Sequence, residues 1–299
     1  MLSFPNIKIN LGLNIIEKRP DGFHNLMSVF YPVKNVFDVL EVVKDEENQL
    51  HGELVDAVAH SGKAIQPADI NYIQYGKIKL AITGLDIPGD SADNLLVKAY
   101  NLINADYGLA PVKVHLHKVI PTGAGLGGGS ADAAFFINTL NEVLEIGLAW
   151  GEKHHYAKQL GSDCSFFITN RPAFCFERGD QFEGIDLDLS GWNLVLVKPA
   201  VHVSTADAYA GITPKAAIQS PEDIVALPVE QWKDKLVNDF EETVFAKHPE
   251  IAEIKSKLYT MGATYACMSG SGATVFALFE NAPDLTDKFA NCFVHTGKL

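Results

Sequence analysis

The segment Pro121-Thr122-Gly123-Ala124-Gly125-Leu126-Gly127-Gly128-Gly129-Ser130-Ala131-Asp132 places five glycines in the seven positions 123–129, directly before an apolar stretch at 131–146 with helical spacing. The first amides of a helix lack intrahelical partners and sit at the positive end of its dipole, so glycines there let backbone close on an anion such as a phosphate. No Lys-Ser or Lys-Thr ends the run, which excludes a Walker-type loop. Gly123, Gly125 and Gly128 do satisfy G-x-G-x-x-G. The preceding stretch, however, alternates Val112, Val114 and Leu116 with Lys113, His115 and His117 and reads as a half-exposed strand, whereas a dinucleotide-binding strand is buried on both faces. Glu142 and Glu145, near the distance of a ribose-binding carboxylate, fall inside the helical pattern. We therefore reject the dinucleotide reading, and a loop without a ligand is the weaker alternative, because so many glycines cost local order.

Working outward, apolar residues occupy every second position from 7 to 15 (Ile7, Ile9, Leu11, Leu13, Ile15), which predicts a strand with one buried face and Lys8, Asn10 and Asn14 on the other. Arg19-Pro20-Asp21-Gly22 is a turn signal, and 26–33 and 36–43 read as further strands of an antiparallel meander. A polar insertion covers about 48–75. A strand at 77–83, a helix at 93–107 and a strand at 112–119 follow. Strands precede helices without a βαβ rhythm, which predicts an α+β fold. The pattern changes around 169–179 and a new β segment begins near 192, so we expect two domains, 1–175 and 176–299. The second carries a helix at 251–261, the turn Ser269-Gly270-Ser271-Gly272 and an apolar strand at 274–279.

The chain has 299 residues, 47% hydrophobic and 20% charged, with net charge -13. The composition predicts a soluble globular enzyme. The start has no basic segment followed by a long apolar stretch, and no window approaches the roughly 18 apolar residues of a membrane span, which predicts a cytoplasmic protein with no membrane partner. The net charge argues against a nucleic-acid partner, which draws affinity from clustered Lys and Arg. Small phosphorylated ligands need only backbone amides, a lysine or two and a metal ion. Cys164, Cys175, Cys267 and Cys292 contain no C-x-x-C pair and read as free thiols.

Phosphoryl transfer to an alcohol asks for positioning, charge neutralisation and a carboxylate near the hydroxyl. Asp163, after Leu160-Gly161-Ser162, suits that task or a turn. Lys8 and Asn10 either face solvent or line a site in which Lys8 pairs with Asp163 and Asn10 binds substrate. Ser130 either caps the helix or ligates Mg²⁺.

Lys8-Ile9-Asn10-Leu11-Gly12-Leu13, Arg19-Pro20-Asp21-Gly22-Phe23-His24, the glycine loop, Leu160-Gly161-Ser162-Asp163 and Ser269-Gly270-Ser271-Gly272-Ala273 come in an order, and over a span, that resembles the 4-diphosphocytidyl-2-C-methylerythritol kinase family. That family lies within the GHMP superfamily of galactokinase, homoserine kinase, mevalonate kinase and phosphomevalonate kinase. The resemblance implies a two-domain GHMP kinase architecture, ribosomal protein S5 domain 2-like then ferredoxin-like, and ATP-dependent phosphorylation of the 2-hydroxyl of diphosphocytidyl-methylerythritol in the non-mevalonate route to isoprenoid precursors. It implies Lys8 and Asp163 as the catalytic pair. Pro121, Thr122, Gly123, Ala124, Gly125, Leu126, Gly127, Gly128, Gly129, Ser130 and Ala131 would wrap the ATP phosphates, with Asn94 and Lys98 near the adenosine. Asn10, Phe23, His24, Thr205 and Tyr209 would hold the substrate, Phe23 and Tyr209 flanking the cytosine and His24 contacting it. The cofactors are then ATP and Mg²⁺, with Ser130 toward the metal, and the assembly a monomer or homodimer. Phe23 stands where the family usually has tyrosine, and Ala131 where a second serine is common. A sister kinase for mevalonate, homoserine or a sugar, or a non-catalytic nucleotide-binding regulator, are the alternatives. Phe23 and His24 speak against the first, and the joint presence of Lys8 and Asp163 against the second.

Overall fold

The structure, a computed structural model, describes residues 1–45 and 70–299, so most of the polar insertion expected at 48–75 lies outside the described residues. Its contacts divide into two compact units, Met1–Ile7, Val36–Thr122 and Gly128–Thr169 in one, and Lys8–Asn35, Gly123–Gly127 and Asn170–Leu299 in the other.

The first unit is built on a five-stranded sheet of order β1-β4-β7-β6-β5, comprising β1 (Leu2–Ser3), β4 (Val39–Lys44), β5 (Ile73–Tyr75), β6 (Ile78–Gly84) and β7 (Val112–Lys118). β4 pairs antiparallel with β7, and β6 runs parallel to β7. Helices Leu95–Tyr107 and Gly128–Val143 bury Leu96, Tyr100, Ile103, Phe136, Ile137 and Leu140 against Leu40, Val42, Leu80, Val114 and Leu116 of this sheet. Each such side chain removed from water is worth roughly 1.5–3 kcal/mol before entropy is subtracted.

β7 is not the half-exposed strand its alternation predicts. His115 is fully buried and His117 nearly so. Thr83 Oγ1 on the neighbouring β6 lies 2.8 Å from His115 Nε2 and 2.9 Å from His117 Nδ1, so a polar lane runs inside the layer. Burial alone therefore does not exclude the dinucleotide reading; the neighbours of β7 do, since they are the antiparallel β4 and the earlier strand β6, and the helix after the glycine loop leads to no strand beside β7.

In the second unit, β2 (Asn6–Lys18), β3 (His24–Phe37), β8 (Ala173–Phe176) and β9 (Gln181–Gly184) form one sheet in that order. β10 (Asn193–Lys198), β11 (Tyr265–Met268), β12 (Val275–Phe279) and β13 (Phe293–Lys298) form another, antiparallel throughout, of order β11-β12-β10-β13. Helix Pro249–Thr260 packs against β11 and β12 and buries Ile251, Ile254 and Leu258.

Two expectations change here. The expected meander stops at β3, because β4 joins the other sheet. β2 has no solvent face before Ile15: Lys8 is 4% exposed and Asn10 1%. On that face Lys8 lies against the Phe30 ring and Asn10 is bonded to Ser28 and Ser269, while further along Leu13 N–H donates to Val237 O and Asp239 N–H donates to Leu13 O, each 2.8 Å.

Candidate active site

The glycine loop takes its form from alternating handedness. Gly123, Gly125 and Gly127 have φ of +61°, +75° and +72°, a left-handed sequence that turns successive amides to one side as an anion-binding concavity. At Gly125 the requirement is absolute, because a Cβ would sit 2.0 Å from the carbonyl oxygen of Ser269. The helix begins at Gly128, not near Ala131, so Gly128, Gly129 and Ser130 form its first turn and their amides have no intrahelical acceptor. Ser130 also hydrogen-bonds the Cys164 thiol, which burial pushes up to about 12 and so keeps neutral.

Behind this turn, Asp38 accepts from the amides of Val119 (2.6 Å) and Ile120 (2.9 Å), fixing the chain just before Pro121. The buried ammonium of Lys118 bridges Asp38 and Asp132, the latter at 2.7 Å. One cation cannot neutralise two buried carboxylates. Asp38 has two amide donors besides Lys118, whereas burial pushes the Asp132 carboxyl up to about 7 against the opposing pull of Lys118. Sequence reading missed Lys118, Asp38 and Asp132, whose signal was only a lysine two residues before the loop's Ile120-Pro121 and an aspartate at its end.

A cleft of about 290 Å³ in the same unit is lined by Ile82, Ile87, Asn94, Thr122, Gly129 and Asp132 among others. Apolar walls near an amide, a hydroxyl and the first turn of helix Gly128–Val143 suit a partly apolar ligand that carries an anion. Asn94 caps helix Leu95–Tyr107, its carbonyl accepting from Leu96 N–H at 2.9 Å, which leaves its amide nitrogen for a ligand. Lys98 is exposed and paired with Asp93 at 2.9 Å. Asp163 precedes helix Cys164–Thr169 and is partly exposed. Among the described residues no group of three His, Cys, Asp or Glu is arranged to hold a metal. A single hydroxyl such as Ser130 fits a Mg²⁺ held mainly by phosphate oxygens and water.

In the other unit Lys8 Nζ donates to Asn10 Oδ1 and lies 4.1 Å from the centroid of the Phe30 ring. Asn10 Nδ2 donates to Ser28 Oγ (2.9 Å), which donates to Gly12 O (2.6 Å). The Asn10 carbonyl is thus committed to aiming Lys8. Asn10 N–H donates to Ser269 Oγ (3.2 Å), and that hydroxyl donates to Gly125 O (2.9 Å). The Ser269 turn, read in sequence as a glycine-rich turn and as one of the motifs of the resemblance but given no role, therefore joins the lysine strand to the glycine loop.

The turn between β2 and β3 is held by Arg19 Nε donating to Asp21 at 3.1 Å and by Phe23 N–H donating to Asp21 at 3.1 Å. Arg19 keeps the Asp21 carboxyl below the usual carboxylate range. The turn presents Phe23, which is 56% exposed with the Arg178 guanidinium 5.3 Å from its ring. His24 stacks on Tyr209, centroids 4.8 Å apart, and burial, with Lys18 nearby, lowers its pKa. Thr205 begins the short helix Thr205–Tyr209, its hydroxyl 3.4 Å from Ser271 Oγ.

Residues 94–176 match the GHMP kinases N terminal domain and residues 225–295 the GHMP kinases C terminal domain. The fold and these matches define a GHMP kinase. A curated Bacteroides thetaiotaomicron protein named 4-diphosphocytidyl-2-C-methyl-D-erythritol kinase is 45% identical with all of both chains covered, and a Bacteroides fragilis protein of that name is 46% identical over 96% of this chain and 94% of its own. A crystal structure of 4-(cytidine 5'-diphospho)-2C-methyl-D-erythritol kinase shares the fold, with TM-score 0.74, 24% identity and coverage of 99% and 98% of the two chains. The chain belongs to the 4-diphosphocytidyl-2-C-methyl-D-erythritol kinase family. No helix among the described residues is long and apolar enough to cross a membrane.

Proposed function

We propose that this protein transfers the γ-phosphoryl group of ATP to the 2-hydroxyl of 4-diphosphocytidyl-2-C-methyl-D-erythritol, giving the 2-phosphate and ADP in the non-mevalonate route to isoprenoid precursors. The observation that carries this is the 45% identity over the whole of both chains with the relative of that name. The domains at 1–175 and 176–299 belong to the same reading, as does a cytoplasmic monomer or homodimer.

Asp163 accepts the proton of the attacking hydroxyl or orients it, and Lys8, aimed by Asn10, offsets charge on the transferring group. The amides from Gly123 to Ala131 hold the β and γ phosphates, with the adenosine toward Asn94 and Lys98. Mg²⁺, with Ser130 as its protein ligand, supplies further charge neutralisation when bound. Phe23, His24, Thr205 and Tyr209 hold the cytidyl end, where flat rings favour stacking on a pyrimidine.

An ADP-release assay with ATP and Mg²⁺ tests this, offering the diphosphocytidyl alcohol, mevalonate, homoserine and galactose separately. Turnover with the first alone is expected. Turnover with another acceptor would keep the class and overturn the substrate, and silence with all four would overturn catalysis.

A further inference from the structure

Asn238 is buried, 3% exposed, in a segment that sequence reading passed over, and every polar atom of its side chain is used. Nδ2 donates to Met268 O and to Gly270 O, both at 2.8 Å, and Oδ1 accepts from Phe240 N–H at 3.0 Å. The amide orientation follows from these partners, since the reverse would set Oδ1 against two carbonyls and the NH₂ against an N–H donor. The two carbonyls flank Ser269. One carboxamide therefore clamps the backbone on both sides of the residue whose hydroxyl accepts from Asn10 N–H and donates to Gly125 O. The residues either side of Asn238 pair with Leu13 on the strand that carries Lys8.

We propose that Asn238 is a positioning residue for nucleotide binding: its paired donors fix the Ser269 turn, and through Ser269 they fix the glycine loop at Gly125 in its anion-binding form. The claim rests on the reading of that loop as the ATP phosphate site. It explains why an amide is needed at this place. Aspartate keeps the acceptor for Phe240 but loses both donors and sets a carboxylate against two carbonyl oxygens. A hydroxyl donates to one carbonyl at most, and an aliphatic side chain to none.

The test compares wild type, Asn238→Asp and Ser269→Ala by calorimetric titration of ADP, by separate KM values for ATP and the diphosphocytidyl alcohol, and by thermal unfolding. The expected result in folded Asn238→Asp is at least a tenfold weaker ADP Kd and a similar rise in KM for ATP, with KM for the alcohol within twofold. Ser269→Ala should repeat that pattern in milder form, and adding it to Asn238→Asp should cost less than it costs alone, because both changes release the same loop. Unchanged ADP affinity in folded Asn238→Asp overturns the proposal. If that variant does not fold, unchanged ADP affinity in Ser269→Ala overturns it equally. A loss shared evenly by both substrates would mark Asn238 as structural only and also overturn it. Wild type that neither binds ADP nor turns over would instead sink the functional reading beneath it.

Discussion

The hydroxyl of Ser269 donates to the carbonyl of Gly125 across 2.9 Å, although 144 residues separate them in the chain. The same approach leaves 2.0 Å between the Ser269 carbonyl oxygen and the place a Cβ on Gly125 would take. Gly125→Ala therefore meets both a clash and a left-handed backbone, the second alone costing about 1–2 kcal/mol. The expected outcome is a lower unfolding temperature together with loss of measurable ADP binding, checked by calorimetry on the folded fraction.

Asp163→Asn keeps shape and one acceptor oxygen but replaces the other with an amide donor and cannot take up a proton. Turnover should nearly vanish while KM values for both substrates stay within a few-fold, the signature of an interaction made in the transition state. Near-normal kcat would remove Asp163 from the reaction.

Lys8→Met keeps much of the buried stem yet withdraws the cation and leaves Asn10 Oδ1 without its donor. Roughly a hundredfold to thousandfold loss of kcat is expected, with a stability cost of about 1–3 kcal/mol for the stranded acceptor. Steady-state kinetics beside chemical denaturation separates the two.

Burial pushes the Asp132 carboxyl from the ordinary 3.8 up to about 7, outweighing the attraction of Lys118. Its contribution to stability is fully present below pH 3.8 and is lost as pH rises through about 7. Asp132→Asn mimics the protonated form, so its unfolding temperature at pH 8 should exceed that of wild type, by roughly 2–4 °C per kcal/mol gained. Scans from pH 5 to pH 8 should show the variant less pH-dependent than wild type across that window.

At the β2–β3 turn, Phe23→Ala and His24→Ala should each raise KM for the diphosphocytidyl alcohol roughly threefold to tenfold, the worth of one aromatic contact. KM for ATP should not change. A matching loss for ATP would move these side chains away from the cytidyl end.

Much of this was legible in the chain. The glycine cluster before a helix, the strand periodicity at Ile7 to Ile15 and the turn at Arg19 are local signals, and local geometry honours them. What sequence could not show is burial imposed from afar. Lys8, Asn10, His115 and His117 alternate as surface residues do, yet each is buried against residues distant in sequence, Phe30 for Lys8, Ser28 and Ser269 for Asn10, and Thr83 for the two histidines. The Lys118 bridge was hidden for the same reason: Asp38 lies 80 residues away and its neighbours carry no motif. Asn238 was silent because one asparagine has no periodicity, and only its two carbonyl partners give it meaning.

β2 also sets a limit on how this chain can change length. Side chains alternate along a strand, so losing one residue between Ile7 and Leu13 would turn the ammonium of Lys8 into the apolar layer and push isoleucines among Asn10, Ser28 and Phe30. Losing two would restore the faces but shift the lysine by about 6–7 Å along the strand. Neither change leaves a working site, so insertions and deletions should be depleted in this stretch of any functional descendant, even where single substitutions are tolerated.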